Sequence, residues 1–306
     1  MFFVYTVFMT SFIDNTYRPY LLPKRLVFFD LDGTIIPSTN AMGRRIAIAV
    51  NSYEKLRVIA DQKLGVHNLP ALGNEDCSQW HREHGGPIGL IKHVLRDTEL
   101  DTDIKECLAY YFNGLYNRRL EQYHPDDLEY DVISEASLAF VQSLSEVATV
   151  ILVSYRYQPK RDFYNSLEAI GLTINGLFGT HNAFAVGGPS SSADGSKARF
   201  VGKMWRREIR AQRRLTSETG KTFPPFMIGD SIRDLHFAAD AGGIFLGVTE
   251  TGVDSNQAMI SEIKELGNDL DTNSRVFPSI EDPELQEILF AECRAYIDAL
   301  DYMPKD

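Results

Sequence analysis

The stretch Arg25–Ile36, RLVFFDLDGTII, constrains the possible folds most. Leu26-Val27-Phe28-Phe29 is an unbroken apolar run, the pattern of a strand buried on both faces. It stops abruptly at Asp30-Leu31-Asp32-Gly33-Thr34. Two carboxylates one residue apart, at the end of a buried strand, are costly to desolvate unless a cation sits beside them. Strand alternation puts Asp30 and Asp32 on one side, and Gly33 lets the chain leave with unusual backbone angles. These residue types at this spacing suit a metal-assisted site, one carboxylate acting as nucleophile and its neighbour carrying protons. A solvated Asp-Gly turn between two strands is the competing reading.

The rest of the chain supplies what such a strand needs. From Ala41 to Leu64 the apolar residues Ile46, Val50, Tyr53, Leu56 and Ile59 form one helical stripe, with Thr39 or Asn40 as cap and Gly65 as stop. Residues 66–86 read as a loop, Pro87 opens a helix through Leu95, and Ile104, Leu108, Tyr111, Phe112 and Leu115 mark another. Nothing in 41–120 alternates like a strand, so a helical insertion is expected. From Ser134, an N-cap, the pattern changes. Helix Glu135–Val147, strand Ala148–Val153, helix Gln158–Ile170, a short strand at Leu177-Phe178 and strand Phe226–Ile228 are expected in that order. Helix Asp234–Ala241, strand Ile244–Val248, helix Gln257–Leu266, strand Arg275–Phe277 and helix Pro283–Leu300 follow. Alternating strands and helices imply an α/β fold, a Rossmann-like parallel sheet with helices on both faces. The expected organisation is an arm at 1–24, a core at 25–38 and 132–306, and an all-helical cap domain at 39–131.

Core strands end in polar residues: Asp30 and Asp32, then Ser154, then Asp230 after Gly229. Ligands of open α/β sheets bind where the carboxyl ends of the strands meet, so residues distant in sequence converge there. Asp234, at the start of the helix after Asp230, can turn back to the same place.

FFDLDGT, a serine after the second core strand, a helix-borne lysine and MIGDSIRD together resemble the motifs of the haloacid dehalogenase superfamily of phosphohydrolases. The match runs from Leu26 to about Leu246. The insertion is similar to the C1-type cap of the phosphoglycolate phosphatase and β-phosphoglucomutase branch. The resemblance implies a magnesium-dependent phosphatase acting on a small phosphorylated metabolite. Asp30 is then the nucleophile that becomes an aspartyl-phosphate, and Asp32 the proton carrier. Asp30, the backbone carbonyl of Asp32 and Asp230 hold Mg2+, and Asp234 supports a metal-bound water or the lysine. Ser154 and backbone N–H groups near Thr34 bind the phosphoryl oxygens. The lysine is Lys203, with Lys197 as the competitor. A phosphomutase of the same branch, or a non-catalytic interaction protein that kept the fold, is the alternative.

Other features carry less. Arg156 follows Ser154 where the family often has a small polar residue; it either pairs with an anionic substrate or lies on the surface. His81 and His84 are read as specificity residues of a cap loop or as plain loop polarity, since no further ligand completes a zinc set. The basic run from Lys203 to Arg214 is favoured as a solvated helix face over a docking face for a polyanion. The aromatics Tyr111, Phe112 and Tyr116 are expected in the cap core. A net charge of −11 argues against nucleic-acid and anionic-membrane partners. Three scattered cysteines suit a reducing, cytoplasmic compartment. Met1–Ile13 is apolar but too short to span a bilayer, and an extra strand or packing arm is favoured over a secretory signal. A monomer or homodimer is expected.

Overall fold

The computed structural model describes residues 24–73, 87–122, 129–156, 158–173, 177–179, 182–185, 220, 223–249, 253–267 and 273–301. The arm at 1–23, His81, His84, Lys197, Lys203, the basic run and the Gly/Ser-rich stretch 187–195 lie outside them. Six strands are described: β1 (Arg25–Phe29), β2 (Ala148–Ser154), β3 (Ala183–Ala185), β4 (Phe226–Gly229), β5 (Ile244–Val248) and β6 (Arg275–Phe277). They form one sheet in the order β3-β2-β1-β4-β5-β6, with each neighbouring pair parallel. The order reverses beside β1, which lies between β2 and β4, its Phe29 level with Leu152 on one side and Ile228 on the other.

The strand pattern explains the layers. Val27 and Phe29 point to one face, where they join Val150, Leu152, Phe226 and Ile228. That face is covered by α4 (Glu135–Val147), α5 (Lys160–Ala169) and α8 (Pro283–Asp301) through Phe140, Phe163 and Leu289. Leu26 and Phe28 point the other way, onto Ile151, Val153, Met227 and Phe245. There α6 (Ile232–Ala241) and α7 (Val253–Leu266) close the layer with Leu235, Phe237 and Met259. Burial of each large apolar side chain is worth about 1.5–3 kcal/mol, so β1 has no solvent face to lose. Arg25, at its foot, is fully buried: its guanidinium lies 4.3 Å from the Phe226 ring centroid and pairs with Glu292.

Between β1 and α4 run α1 (Ser38–Leu64), α2 (Pro87–Val94) and α3 (Thr102–Glu121). They share an apolar cluster of their own: Ile48, Tyr53, Leu56, Leu90, Ile91, Leu108 and Phe112. Phe112 and Tyr116 are buried in it as expected, whereas Tyr111 is 48% exposed, being on the outer side of α3. The cap of α1 is Pro37, not Thr39 or Asn40, and the helix ends as expected at Gly65 in the left-handed conformation. Ser134 caps α4, its Oγ accepting from the Ser137 N–H at 2.9 Å. Leu177 and Phe178 are not a strand. Asn182 holds them in a bend, its Nδ2 donating to Leu177 O (2.7 Å) while its Oδ1 accepts from Gly179 N (2.8 Å). The third strand forms just beyond, at Ala183–Ala185. Among the described residues, no helix is long and apolar enough to cross a membrane.

Candidate metal and phosphoryl site

Three loops meet at the carboxyl end of the sheet where the strand order reverses. The loop after β1 is compact: Leu31 O accepts from the N–H groups of Ile35 (3.0 Å) and Ile36 (2.9 Å), and Gly33 N donates to Ile36 O (2.7 Å). Asp30 N still donates to Ile228 O at 2.9 Å, which fixes the Asp30 backbone to β4. Gly33 is needed for two reasons. Its φ is +88°, and a Cβ there would sit 1.9 Å from Asp230 Oδ2. Gly229 has a purely steric role, since a Cβ on it would lie 2.4 Å from Asp234 Cγ. The two glycines thus clear the ground that the two later aspartates occupy.

The outcome is a cluster. One carboxylate oxygen each from Asp30, Asp230 and Asp234 lies within 4.8 Å of the others. Asp30 is 7% exposed and Asp234 fully buried. Asp234 is further set by Ser231, whose Oγ donates to its Oδ2 at 2.7 Å across the first turn of α6. Like charges so close in a protected place repel, and a hard divalent cation among them reverses the sign of the interaction. An all-oxygen, carboxylate-rich donor set of this kind fits Mg2+ or a similar hard ion rather than zinc. The residues present therefore fit the metal that the motifs imply, with Asp234 offering an oxygen alongside Asp30 and Asp230.

Asp32 goes elsewhere. Its two carboxylate oxygens accept from Arg156, Nε to Oδ2 at 3.0 Å and Nη2 to Oδ1 at 2.7 Å. The same guanidinium donates to Asp131, Nη1 to Oδ2 at 2.8 Å and Nη2 to Oδ1 at 2.7 Å. The Arg156 and Asp131 side chains are 3% and 1% exposed, and Asp32 17%. Burial by itself would push the Asp32 carboxyl up. The Arg156 charge and its hydrogen bonds, helped by Arg44 and Arg45, outweigh that and hold it well below the usual carboxylate range. Burial opposes the Arg156 charge in the same way, and Asp32 and Asp131 overcome it, so the guanidinium stays charged. As arranged here, Asp32 is an ionised carboxylate able to accept a proton; to donate one it must exchange its bonds from Arg156.

Ser154 is 1% exposed, and its Oγ accepts from Arg156 N at 3.2 Å. Thr34 is buried, its N–H makes a long 3.4 Å contact to Leu31 O, and its Oγ1 has no hydrogen-bond partner among the described residues. The structure thus places Asp30, Asp230 and Asp234 together, joins Asp32 to Arg156, and seats Ser154 at the end of β2 and Thr34 in the loop after β1. Arg156 is not a surface residue. Asp131 is the site residue that sequence reading missed. It stands in a stretch without a motif, and only its position just before the Ser134 cap hinted that it sits at the mouth of the sheet.

No protein-family model matches the chain, and no curated protein matches it. Among solved structures, a predicted phosphatase from Clostridium acetobutylicum is similar at 20% identity, covering 88% of this chain and 99% of that one, with a TM-score of 0.46. A haloacid dehalogenase-like hydrolase from Streptococcus pneumoniae matches at 15% identity over 75% of this chain and 86% of that one, with a TM-score of 0.38. A 2-haloacid dehalogenase from Pseudomonas syringae pv. Tomato matches at 15% identity over 89% and 99%, with a TM-score of 0.36.

Proposed function

We propose that the chain is a hydrolase of the haloacid dehalogenase type and, within that superfamily, a magnesium-dependent phosphatase of small phosphomonoesters. One observation carries the reading: carboxylates from the ends of two adjacent strands, Asp30 and Asp230, and from the first turn of α6, Asp234, are gathered within 4.8 Å beside the DLDGT loop. A solvated Asp-Gly turn has no reason to assemble such a cluster.

Asp30, Asp230 and Asp234 would hold the cation, with the carbonyl of Asp32 as a further ligand. When bound, the cation neutralises phosphoryl charge and orients the phosphorus toward the nucleophile. Asp30 then attacks phosphorus with its carboxylate oxygen; the bond to the leaving oxygen breaks, and an aspartyl-phosphate forms on the side chain. Asp32 leaves Arg156, takes up a proton from solvent and gives it to the leaving oxygen. In the second step it takes a proton from water as that water attacks phosphorus, which releases phosphate and restores Asp30. Ser154 and the Thr34 hydroxyl are the candidates for the phosphoryl oxygens, with Lys203 as the neutralising cation. The helical unit at 39–131 is read as a C1-type cap that excludes water in the first step and admits it in the second. The scattered cysteines support a reducing, cytoplasmic setting.

Phosphate release from p-nitrophenyl phosphate with and without MgCl2 tests the reading. Wild type is expected to turn over only with the metal, and Asp30→Asn to lose turnover while keeping its far-ultraviolet circular dichroism. Metal-independent turnover, or an Asp30→Asn variant as active as wild type, refutes it.

A further inference from the structure

The Arg156 fork joins three segments that are far apart in sequence. Its side chain grips Asp32 in the loop after β1 and Asp131 in the segment leading to α4, and its own N–H reaches Ser154 at the end of β2. Nη2 has two hydrogens and gives one to each carboxylate, at 2.7 Å in both cases. A planar guanidinium held at both ends cannot turn toward one partner without turning away from the other.

Asp131 is the firmer end. It is 3% exposed, and three residues on, Ser134 and Ser137 both donate to Glu281 while Ser134 caps α4. Just before it, Tyr130 lies against the start of the three-helix unit: a Cβ on Gly43 would come within 2.9 Å of Tyr130 Cδ1. Asp131 therefore stands where the segment leaving the helical unit touches the segment entering it, and it is anchored to the core at the same time. Asp32, 17% exposed in its side chain, is the more open end.

We propose that Asp131 is a positioning residue for this reaction, acting through Arg156 to set where the Asp32 carboxylate stands relative to Asp30. The inference rests on the phosphatase reading. Through the shared guanidinium, the place of Asp131 fixes the place of the Asp32 carboxylate. Asp131 itself touches no reacting atom.

The test compares wild type, Asp131→Asn, Arg156→Lys and the double variant, with p-nitrophenyl phosphate and MgCl2 as probes. Both kcat and KM are measured, together with Tm. In Asp131→Asn, kcat is expected to fall by about 10–100-fold with KM within about twofold, the pattern of a misplaced group rather than a lost binding contact. Arg156→Lys keeps the charge without the fork, and it should lose kcat to a similar degree. The double variant should be no worse than the poorer single one, because the two residues act as a unit. A folded Asp131→Asn with kcat within twofold of wild type overturns the proposal. So does a loss confined to KM, or losses that multiply in the double variant. If Asp131→Asn does not fold, Arg156→Lys is judged by the same kcat criterion, and failure of both to fold overturns the proposal in favour of a purely architectural ion pair. A wild type without magnesium-dependent turnover is a different result: it removes the phosphatase reading, and the positioning role falls with it.

Discussion

Replacing Gly33 with alanine separates backbone strain from damage to the site. Gly33 has φ +88°, and an L-residue forced into that region costs about 1–2 kcal/mol. Its new Cβ would also stand 1.9 Å from Asp230 Oδ2 and 2.3 Å from Cγ. Carbon and oxygen do not approach so closely, so the Asp230 carboxylate must retreat by well over ~1 Å to reach ordinary contact. The 4.8 Å cluster loses one corner. The expected result is a fall in Mg2+ affinity of about 10–100-fold and a loss of turnover of about 100-fold. Gly65→Ala is the control. Its φ is +65°, but a Cβ there meets nothing within 4 Å, so it has only the strain. A loss of about 1 kcal/mol, roughly 2–4 °C in Tm, is expected for it, with Mg2+ binding intact. Gly229→Ala is the complement: it lies in β4 without a positive φ, yet its Cβ would lie 2.4 Å from Asp234 Cγ. It should lose metal with less strain. Titration of each variant with MgCl2, followed by calorimetry and by thermal shift, checks all three. Gly33→Ala binding Mg2+ as tightly as wild type would refute the packing argument, whatever its Tm.

Two further outcomes follow from the electrostatics. Arg156→Ala leaves Asp131 buried without its guanidinium, and about 3–5 kcal/mol of stability should be lost near neutral pH. Because Asp32 is held below its ordinary value of 3.8, the stability that Arg156 confers through it is complete above that pH. It fades as pH falls below 3.8 toward the depressed native value. Urea unfolding should therefore give a constant gap between wild type and Arg156→Ala from about pH 6 to 9, narrowing in acid; a gap that widens in acid contradicts the assignment. Burial pushes the Cys293 thiol up to about 12, outweighing the nearby Arg25, whereas Cys107 is exposed. At pH 8 a thiol reagent should label Cys107 in the native protein and Cys293 only after unfolding, as peptide mapping will show.

Much of this protein follows from local sequence. The apolar run of β1 can be satisfied only inside a covered sheet, and the alternation of Leu26 and Phe28 with Val27 and Phe29 already divides the two helical layers. Asp30, Asp230 and Asp234 were legible as one site because strand ends in a parallel sheet share an edge, and the glycines before or after them mark where a side chain must fit. Two local expectations gave way to tertiary contacts. The apolar pair Leu177-Phe178 looked like a strand, but Asn182 donates to Leu177 O and Leu172 O accepts from Phe178 N, which holds the pair in a bend. Thr39 and Asn40 are better caps than Pro37 in isolation, yet α1 starts one turn earlier, where the compact loop after Asp30 delivers the chain.

What the fold alone decided is the partnership of Asp32, Arg156 and Asp131. A guanidinium is drawn wherever two buried carboxylates come within reach of its fork, and no periodicity or motif encodes that reach. Residues 32, 131 and 156 become neighbours only when the chain returns from the three-helix unit to the sheet. Local chemistry named the candidate carboxylates; the closing of the chain on itself determined which of them cluster and which is tied to an arginine.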